Sequence, residues 1–207
     1  MTNSKANNSS GTVVSDGDLM SAIALRDEKA FAELLSRYLD KVHHFILRST
    51  NAHADTDDLV QETFLNVWRK ANTFAATQAS VSTWVLRIAR NQCIDNHRRT
   101  QARPSGHTVD DSEMQLDSAP AEQKSAGNAL EHQRSLSKLR AAISDLPERQ
   151  RTALTLCQLQ GRSNAEAAEI LGIKVSAIES LLARARRALR TALENNTPTN
   201  TAVTSSR

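Results

Sequence analysis

Ser163-Asn164-Ala165-Glu166-Ala167-Ala168-Glu169-Ile170-Leu171-Gly172-Ile173-Lys174-Val175-Ser176-Ala177-Ile178 is the most informative stretch of the chain. Ser163 or Asn164 can cap a short helix, and Glu166 stands at capping-box distance from Ser163. Ala167 and Ala168 are small enough for close helix approach. Gly172 suits the left-handed residue that ends a helix. Ile173 and Val175 are expected to plug the angle before a second helix, with Ser176 as its cap and Glu179 three residues on. The pattern predicts a helix-turn-helix of the DNA-binding kind. In the second helix Val175, Ile178, Leu182, Ala185 and Leu189 form an apolar stripe at helical spacing. Ala177, Ser180, Leu181 and Arg184 project elsewhere, toward a major groove, while Arg186, Arg187 and Arg190 suit phosphates. The plainer alternative, an αα-hairpin with a solvated arginine face, leaves the agreement of caps, glycine and basic helix unexplained.

Outward from this segment the chain is helical by periodicity. Apolar residues from Asp18 to about Ser49 follow three-and-four spacing, with a break expected near Arg26–Asp27. Thr56 to Ala71 places Val60, Phe64, Val67, Trp68 and Ala71 on one stripe, with Asp55 or Thr56 as cap. Ser82 to Arg99 sets Val85, Ile88 and Ala89 against an arginine set. Glu131 to Ile143, Pro147 to Leu159, Ala165 to Leu171 and Ser176 to about Leu193 complete the helices, with Pro147 just inside its helix start. No stretch alternates with period two, so the expected fold is all-α: two small helical domains joined by a flexible linker, the second a helix-turn-helix domain.

The 207 residues suffice for one or two small domains. Lys plus Arg is 26 and Asp plus Glu 23, a net of only +3, but the charge is uneven. Residues 129–193 carry 11 basic and 6 acidic residues (+5), and residues 100–128 carry 2 and 5 (−3). Two basic modules around an acidic connector suit two contacts with a polyanion. The connector holds Pro104, Pro120, Gly106 and Gly127. The domains are therefore expected at 16–100 and 129–193, with a linker at 101–128 and disordered ends at 1–15 and 194–207. No apolar run is long enough to span a membrane, and residues 1–15 lack a signal-peptide core. Cys93 and Cys157 share no metal-ligand spacing, so reduced thiols, no metal, no cofactor and a cytoplasmic location are expected.

The first module has its own chemistry. With Val60, Phe64, Val67 and Trp68 inward, Asp58, Gln61, Glu62 and Leu65 share an outer helical face. Carboxylates and an amide beside one apolar residue suit an arginine-bearing protein partner and repel DNA. Further on, Thr73 to Thr83 forms a polar loop that enters a helix with Trp84, Arg87, Arg90, Asn91, Arg98 and Arg99. Aromatics beside arginines and an amide can hold an unstacked base. Trp84 by itself reads as core, and His43 and His44 as surface or packing residues. A hydrolase built from Asp57, Asp58 or Glu62 with either histidine, and a stand-alone helix-turn-helix regulator, are the competing readings.

Together these marks resemble the extracytoplasmic-function (ECF) group of the bacterial sigma-70 family. They are Ala30-Phe31 with Leu34 and Tyr38, Asp57-Asp58-Leu59-Val60-Gln61-Glu62-Thr63-Phe64, Thr83-Trp84 with Arg87-Ile88-Ala89-Arg90-Asn91, Asp95 with Arg98, Leu146-Pro147-Glu148, and Leu182-Ala183-Arg184-Ala185-Arg186. The resemblance covers roughly residues 18–100 and 129–193. It implies a non-catalytic initiation subunit whose Asp58, Gln61, Glu62, Leu65 and Asn66 dock on core RNA polymerase. It implies a −10 reader with Arg87, Arg90, Asn91, Arg98 and Arg99, where Asn91 takes the amide position near a flipped base. It implies a −35 reader with Ala177, Ser180, Leu181, Arg184, Arg186 and Arg187, and control by an anti-sigma factor. Glu179 and Leu181 stand where many members are basic, and Val81 where an aromatic is frequent.

Overall fold

The computed structural model describes residues 14–50, 55–77, 79–102 and 126–195. Every regular element among them is helical. The first unit contains α1 (Asp16–Ala24), α2 (Glu28–Thr50), α3 (Thr56–Lys70), a 3₁₀ turn (Ala71–Thr73) and α4 (Val81–Ala102). The second contains α5 (Ala126–Ser144), α6 (Glu148–Leu154), a π-helical turn (Thr155–Leu159), α7 (Asn164–Leu171) and α8 (Val175–Asn195). The expected linker and chain ends lie largely outside the described residues.

The break between α1 and α2 has a local cause. Arg26 takes the left-handed conformation at φ 69°, a position that disfavours side chains. Its guanidinium donates to the Trp68 carbonyl at 2.9 Å and lies 5.3 Å from the centre of the Trp68 ring. Asp27 then accepts from the backbone N–H groups of Lys29 (2.8 Å) and Ala30 (3.1 Å), which caps α2. Ser15 caps α1 in the same way through the Asp18 N–H at 3.2 Å.

Several sequence expectations shift in detail. Asp55 precedes α3 but its side chain does not cap it; it accepts instead from Asn96 of α4 at 3.0 Å. Pro147 is the cap residue of α6, one place before the helix, where its fixed φ still suits entry. The run to Leu159 is α6 followed by the π turn, in which the Gln160 N–H returns to the Thr155 carbonyl at 3.0 Å. In the second unit α8 begins at Val175, so Ser176 lies within the helix and does not cap it. Val175 belongs to that first turn and is 42% exposed, outside the buried stripe expected for it.

One apolar core runs through both units. Met20, Ile23, Leu34, Val42, Phe45, Ile46, Val67, Val85 and Leu86 are buried in the first. Ala153, Leu156, Ala167, Ile170, Ile178 and Leu182 of the second belong to the same cluster. Leu146, Leu154 and Ala185 form a smaller satellite, with Ile143 and Leu189 against it. The units are therefore docked side by side, α4 against α7 and α2 against α6. Sequence periodicity places a stripe on each helix but does not tell which stripe meets which.

Candidate protein and nucleic-acid interfaces

α3 presents one buried and one open side. Leu59, Val60, Thr63, Phe64 and Val67 are buried. Asp58 and Gln61 are exposed, Leu65 is 38% exposed, and Glu62 and Asn66 are half-buried. The five residues lie on the outer side of one helix, as their spacing requires. Asn66 Nδ2 donates to the Glu62 carbonyl at 2.9 Å and to its Oε1 at 3.1 Å, and Arg69 Nη1 reaches the same oxygen at 3.5 Å. Glu62 is thereby held along the helix, while Asp58 and Gln61 face outward. Trp68 is half-buried and meets Phe31 edge-on at 5.1 Å between ring centres.

His43 Nε2 stands 3.6 Å from Asp57 Oδ1, the nearest arrangement to an acid–base pair. The Asp57 side chain is 95% exposed, so nothing removes the pair from water.

α4 is entered through a cap at Ser80, whose Oγ accepts from the Thr83 N–H at 3.1 Å and donates to Thr83 Oγ1 at 2.9 Å. Val81, Val85, Leu86, Ile88 and Ala89 anchor it. Trp84 is half-buried and packs against the core, with Phe74 edge-on at 5.7 Å. Arg87, Asn91, Arg98 and Arg99 are exposed. Arg90 is half-buried and donates to Asn91 Oδ1 at 3.3 Å. Burial, with Arg149 and Arg98 nearby, lowers the Arg90 guanidinium pKa. The arginine set is thus divided: Arg87 and Arg99 are open, as is Asn91 beside them, whereas Arg90 and Arg98 line a groove shared with the second unit.

The helix-turn-helix has the local chemistry that its sequence implies. Ser163 Oγ accepts from the Glu166 N–H at 3.2 Å, and Glu166 Oε2 accepts from the Ser163 N–H at 2.9 Å, a complete capping box. These Ser163 bonds, with Arg162 adding to them, outweigh desolvation and hold the Glu166 carboxyl below its ordinary pKa. Gly172 sits at φ 62°, its N–H bound to the Glu169 carbonyl (3.2 Å) and that of Ile173 to the Ala168 carbonyl (3.0 Å), a Schellman turn. Ile178, Leu182 and Ala185 bury one stripe of α8. Ser180, Arg184, Arg186 and Arg187 are exposed, and Ala177 is half-buried. Leu181 is also half-buried and packs against the core along the shared groove.

Neither thiol is electrostatically activated. Burial, and then Glu148, push the Cys93 thiol up to about 12. Desolvation also raises Cys157, whose Sγ lies 3.7 Å from Asn164 Oδ1. No cluster of metal-ligating side chains occurs among the described residues, and no described helix is long and apolar enough to cross a membrane. Residues that sequence reasoning missed are Arg151, Gln160 and Arg162, which reach from the second unit to the first. Their identities are polar and ordinary, and no local pattern marks partners 80 to 119 positions away.

Comparison with known proteins agrees with this geometry. Sigma-70 region 2 matches residues 34–103, and sigma-70 region 4 matches residues 136–189. The ECF RNA polymerase sigma factor SigM of Mycobacterium tuberculosis is 31% identical over 180 residues, covering 84% of this chain and 83% of the relative. The ECF RNA polymerase sigma factor RpoE of Cereibacter sphaeroides is 31% identical over 166 residues, covering 80% and 87%. The structure of Bartonella quintana sigma factor RpoE with the anti-sigma factor NepR aligns at a TM-score of 0.61 and 25% identity, covering 81% of this chain and 99% of that one. A region 2 unit with an open acidic helix and a region 4 unit with a capped helix-turn-helix, in that order, place this chain in the ECF RNA polymerase sigma factors of the sigma-70 family.

Proposed function

We propose that the chain is a promoter-specificity subunit that joins core RNA polymerase and has no catalytic step of its own. The observation that carries the reading is the outer side of α3. Asp58 and Gln61 lie open there, beside Leu65, Glu62 and Asn66, on a helix anchored by its opposite side. Such a ridge suits a basic helical surface on the polymerase and attracts no phosphate. Family membership argues against a stand-alone regulator.

Two nucleic-acid contacts complete the reading. On α4, Arg87, Arg90, Asn91, Arg98 and Arg99 hold the −10 strand, the arginines on phosphates and Asn91 near an unstacked base. On α8, Ala177, Ser180, Leu181 and Arg184 face the −35 major groove, with Arg186 and Arg187 on its backbone. Phosphate contacts carry affinity without sequence information, so base readout must come from these small sets. Each reader is weak, and tethering both to one polymerase raises their effective concentration. Capture of a flipped base offsets an unstacking cost of a few kcal/mol, which favours the melted duplex. An anti-sigma partner is part of the proposal, since the Bartonella quintana relative is seen with one. The cytoplasm is the proposed location.

The test is a footprint on promoter DNA. Core polymerase with the purified chain should protect discrete sites and expose thymines near the start to permanganate. The chain alone should protect none. A clear footprint without polymerase would return the stand-alone regulator.

A further inference from the structure

The seam between the two units holds a second concavity, apart from the groove at α4. It is a cleft of about 620 Å³ between α2 and the π turn. Lys41, His44 and Arg48 of α2 line one wall; Thr155, Leu159, Gln160 and Arg162 line the other. None of these residues belongs to the polymerase or nucleic-acid sets above. Lys41, His44 and Arg48 stand at i, i+3 and i+7, one above another on the same face of the helix. Lys41 and His44 are exposed, and Arg48 is half-buried. Gln160 ties the walls together by donating through Nε2 to the Lys41 carbonyl at 2.9 Å.

The cleft is cationic. Lys41, Arg48 and Arg162 face the single carboxylate of Asp40, which is exposed. Arg162 is engaged already, through Nη1 with Glu166 Oε1 at 3.1 Å and through Nη2 with Ser82 Oγ. Lys41 Nζ lies 5.3 Å from the centre of the Tyr38 ring. Among the described residues no carboxylate stands within ion-pair distance of Lys41, His44 or Arg48. Charges of one sign lining a concave surface focus their field and attract a small anion more strongly than a flat surface does. An ammonium and a guanidinium together suit a phosphate, the second by its two-pronged geometry.

The opposite wall is incompletely paired. Thr155 Oγ1, Gln160 Oε1 and Arg162 Nε are buried without a hydrogen bond among the described residues, and all three side chains line this cleft. Buried polar atoms are nearly always bonded, so three exceptions in one place call for a partner. The backbone there is also unusual. Thr155–Leu159 is wound as a π turn, with the Gln160 N–H on the Thr155 carbonyl at 3.0 Å. Such turns are found most often beside functional sites. Leu159, 45% exposed, adds an apolar patch to the same wall.

We propose that this cleft binds a sugar phosphate, free or as part of a nucleotide. The phosphate lies on Lys41, His44 and Arg48, sugar hydroxyls meet Gln160 Oε1 and Thr155 Oγ1, and the apolar part of the ligand covers Leu159. Hydroxyls are needed because Gln160 Oε1 is an acceptor: it repels a bare anion and is satisfied only by a donor. The size agrees, since small-molecule sites run to roughly 300–1,000 Å³, far more than inorganic phosphate fills. A ligand that bridges both walls also stabilises the folded chain by mass action. The inference goes beyond the function proposed above and does not depend on it, so its test needs neither polymerase nor DNA.

The test is calorimetric titration of the full chain at about 150 mM salt, where attraction between exposed charges is largely screened. Ribose 5-phosphate and adenosine 5′-diphosphate are the ligands, with ribose and inorganic phosphate as references. At least one sugar phosphate should bind one-to-one with a Kd of about 1 mM or tighter, and both references at least about tenfold more weakly. Tighter binding of the diphosphate identifies a nucleotide; equal or tighter binding of ribose 5-phosphate identifies the free sugar phosphate. The Lys41→Gln, Arg48→Gln double variant should lose about tenfold or more in affinity. Gln160→Leu, which keeps the cations, should weaken the sugar phosphate about threefold or more. No binding of either ligand up to about 10 mM overturns the proposal. So does inorganic phosphate that binds as tightly as the sugar phosphates, or parent affinity in the double variant or in Gln160→Leu. Circular dichroism checks that the double variant folds; if it does not, the exposed Lys41→Gln alone is judged by the same titration, with a loss of about threefold expected and parent affinity counting against the site.

Discussion

The outer side of α3 and the basic side of α4 belong to one helical unit, yet they are presented differently. On α3, Asp58 and Gln61 are exposed, and the helix packs on its other side against α2 and α4 of its own unit. On α4, Arg87 and Asn91 are open, but Arg90 and Arg98 border the groove with Arg149 and Leu181. The contrast teaches that helical spacing alone decides exposure on α3, whereas packing between the two units decides part of it on α4.

Asp58→Arg breaks this contrast at its open side. Reversing a central charge on the open ridge should weaken core binding by tenfold to a hundredfold, roughly 1.4–2.8 kcal/mol. A fluorescence titration with core polymerase measures it, and unchanged affinity would remove α3 from the interface. Ile178→Ala probes the other side of the comparison. Ile178 is fully buried in the core that spans both units, so its truncation should cost about 2–5 kcal/mol and lower the Tm. A loss under 1 kcal/mol would mean that α8 is not docked as described.

Smaller effects sharpen the picture. Ser163→Ala removes one half of the capping box and should cost about 1 kcal/mol by denaturant unfolding. Glu166 supplies the other half, and its sign can be worked out. Its carboxyl is held below the ordinary range by Ser163, so the folded state binds that proton less readily than the unfolded chain. The stabilisation is present above the unfolded value of 4.5 and fades as pH falls through the lower folded value. Glu166→Gln should flatten that part of the acid limb slightly, and an identical limb would contradict the assignment. Thiol labelling is the finest probe. Cys93, with its pKa pushed up to about 12 and its side chain in the seam, should react far more slowly at pH 8 than the half-buried Cys157. Equal rates would show that the seam is open in the free chain.

Much of the fold was legible because its signals are local. The capping box at Ser163 and Glu166, the left-handed Gly172 and the break at Arg26–Asp27 depend on residues within a few positions of one another. The α3 ridge was legible for the same reason, since helical spacing alone separates Asp58 and Gln61 from Val60 and Phe64. Errors arose at edges. Ser176 and Val175 fall in the first turn of α8, where a cap and an inward residue differ by one place. Docking was not legible. Arg151 finds Ser49 across 102 positions, Gln160 finds Lys41 across 119, and Leu181 turns toward α4 instead of standing clear. Such pairings depend on which apolar stripes meet, a property of the whole chain.

The most direct measurement is run-off transcription from genomic fragments with bare core polymerase, comparing the parent chain with Asp58→Arg. The account predicts discrete start sites that require the parent chain and are strongly reduced in the variant at equal concentration. Start sites that are the same with and without the chain would contradict it.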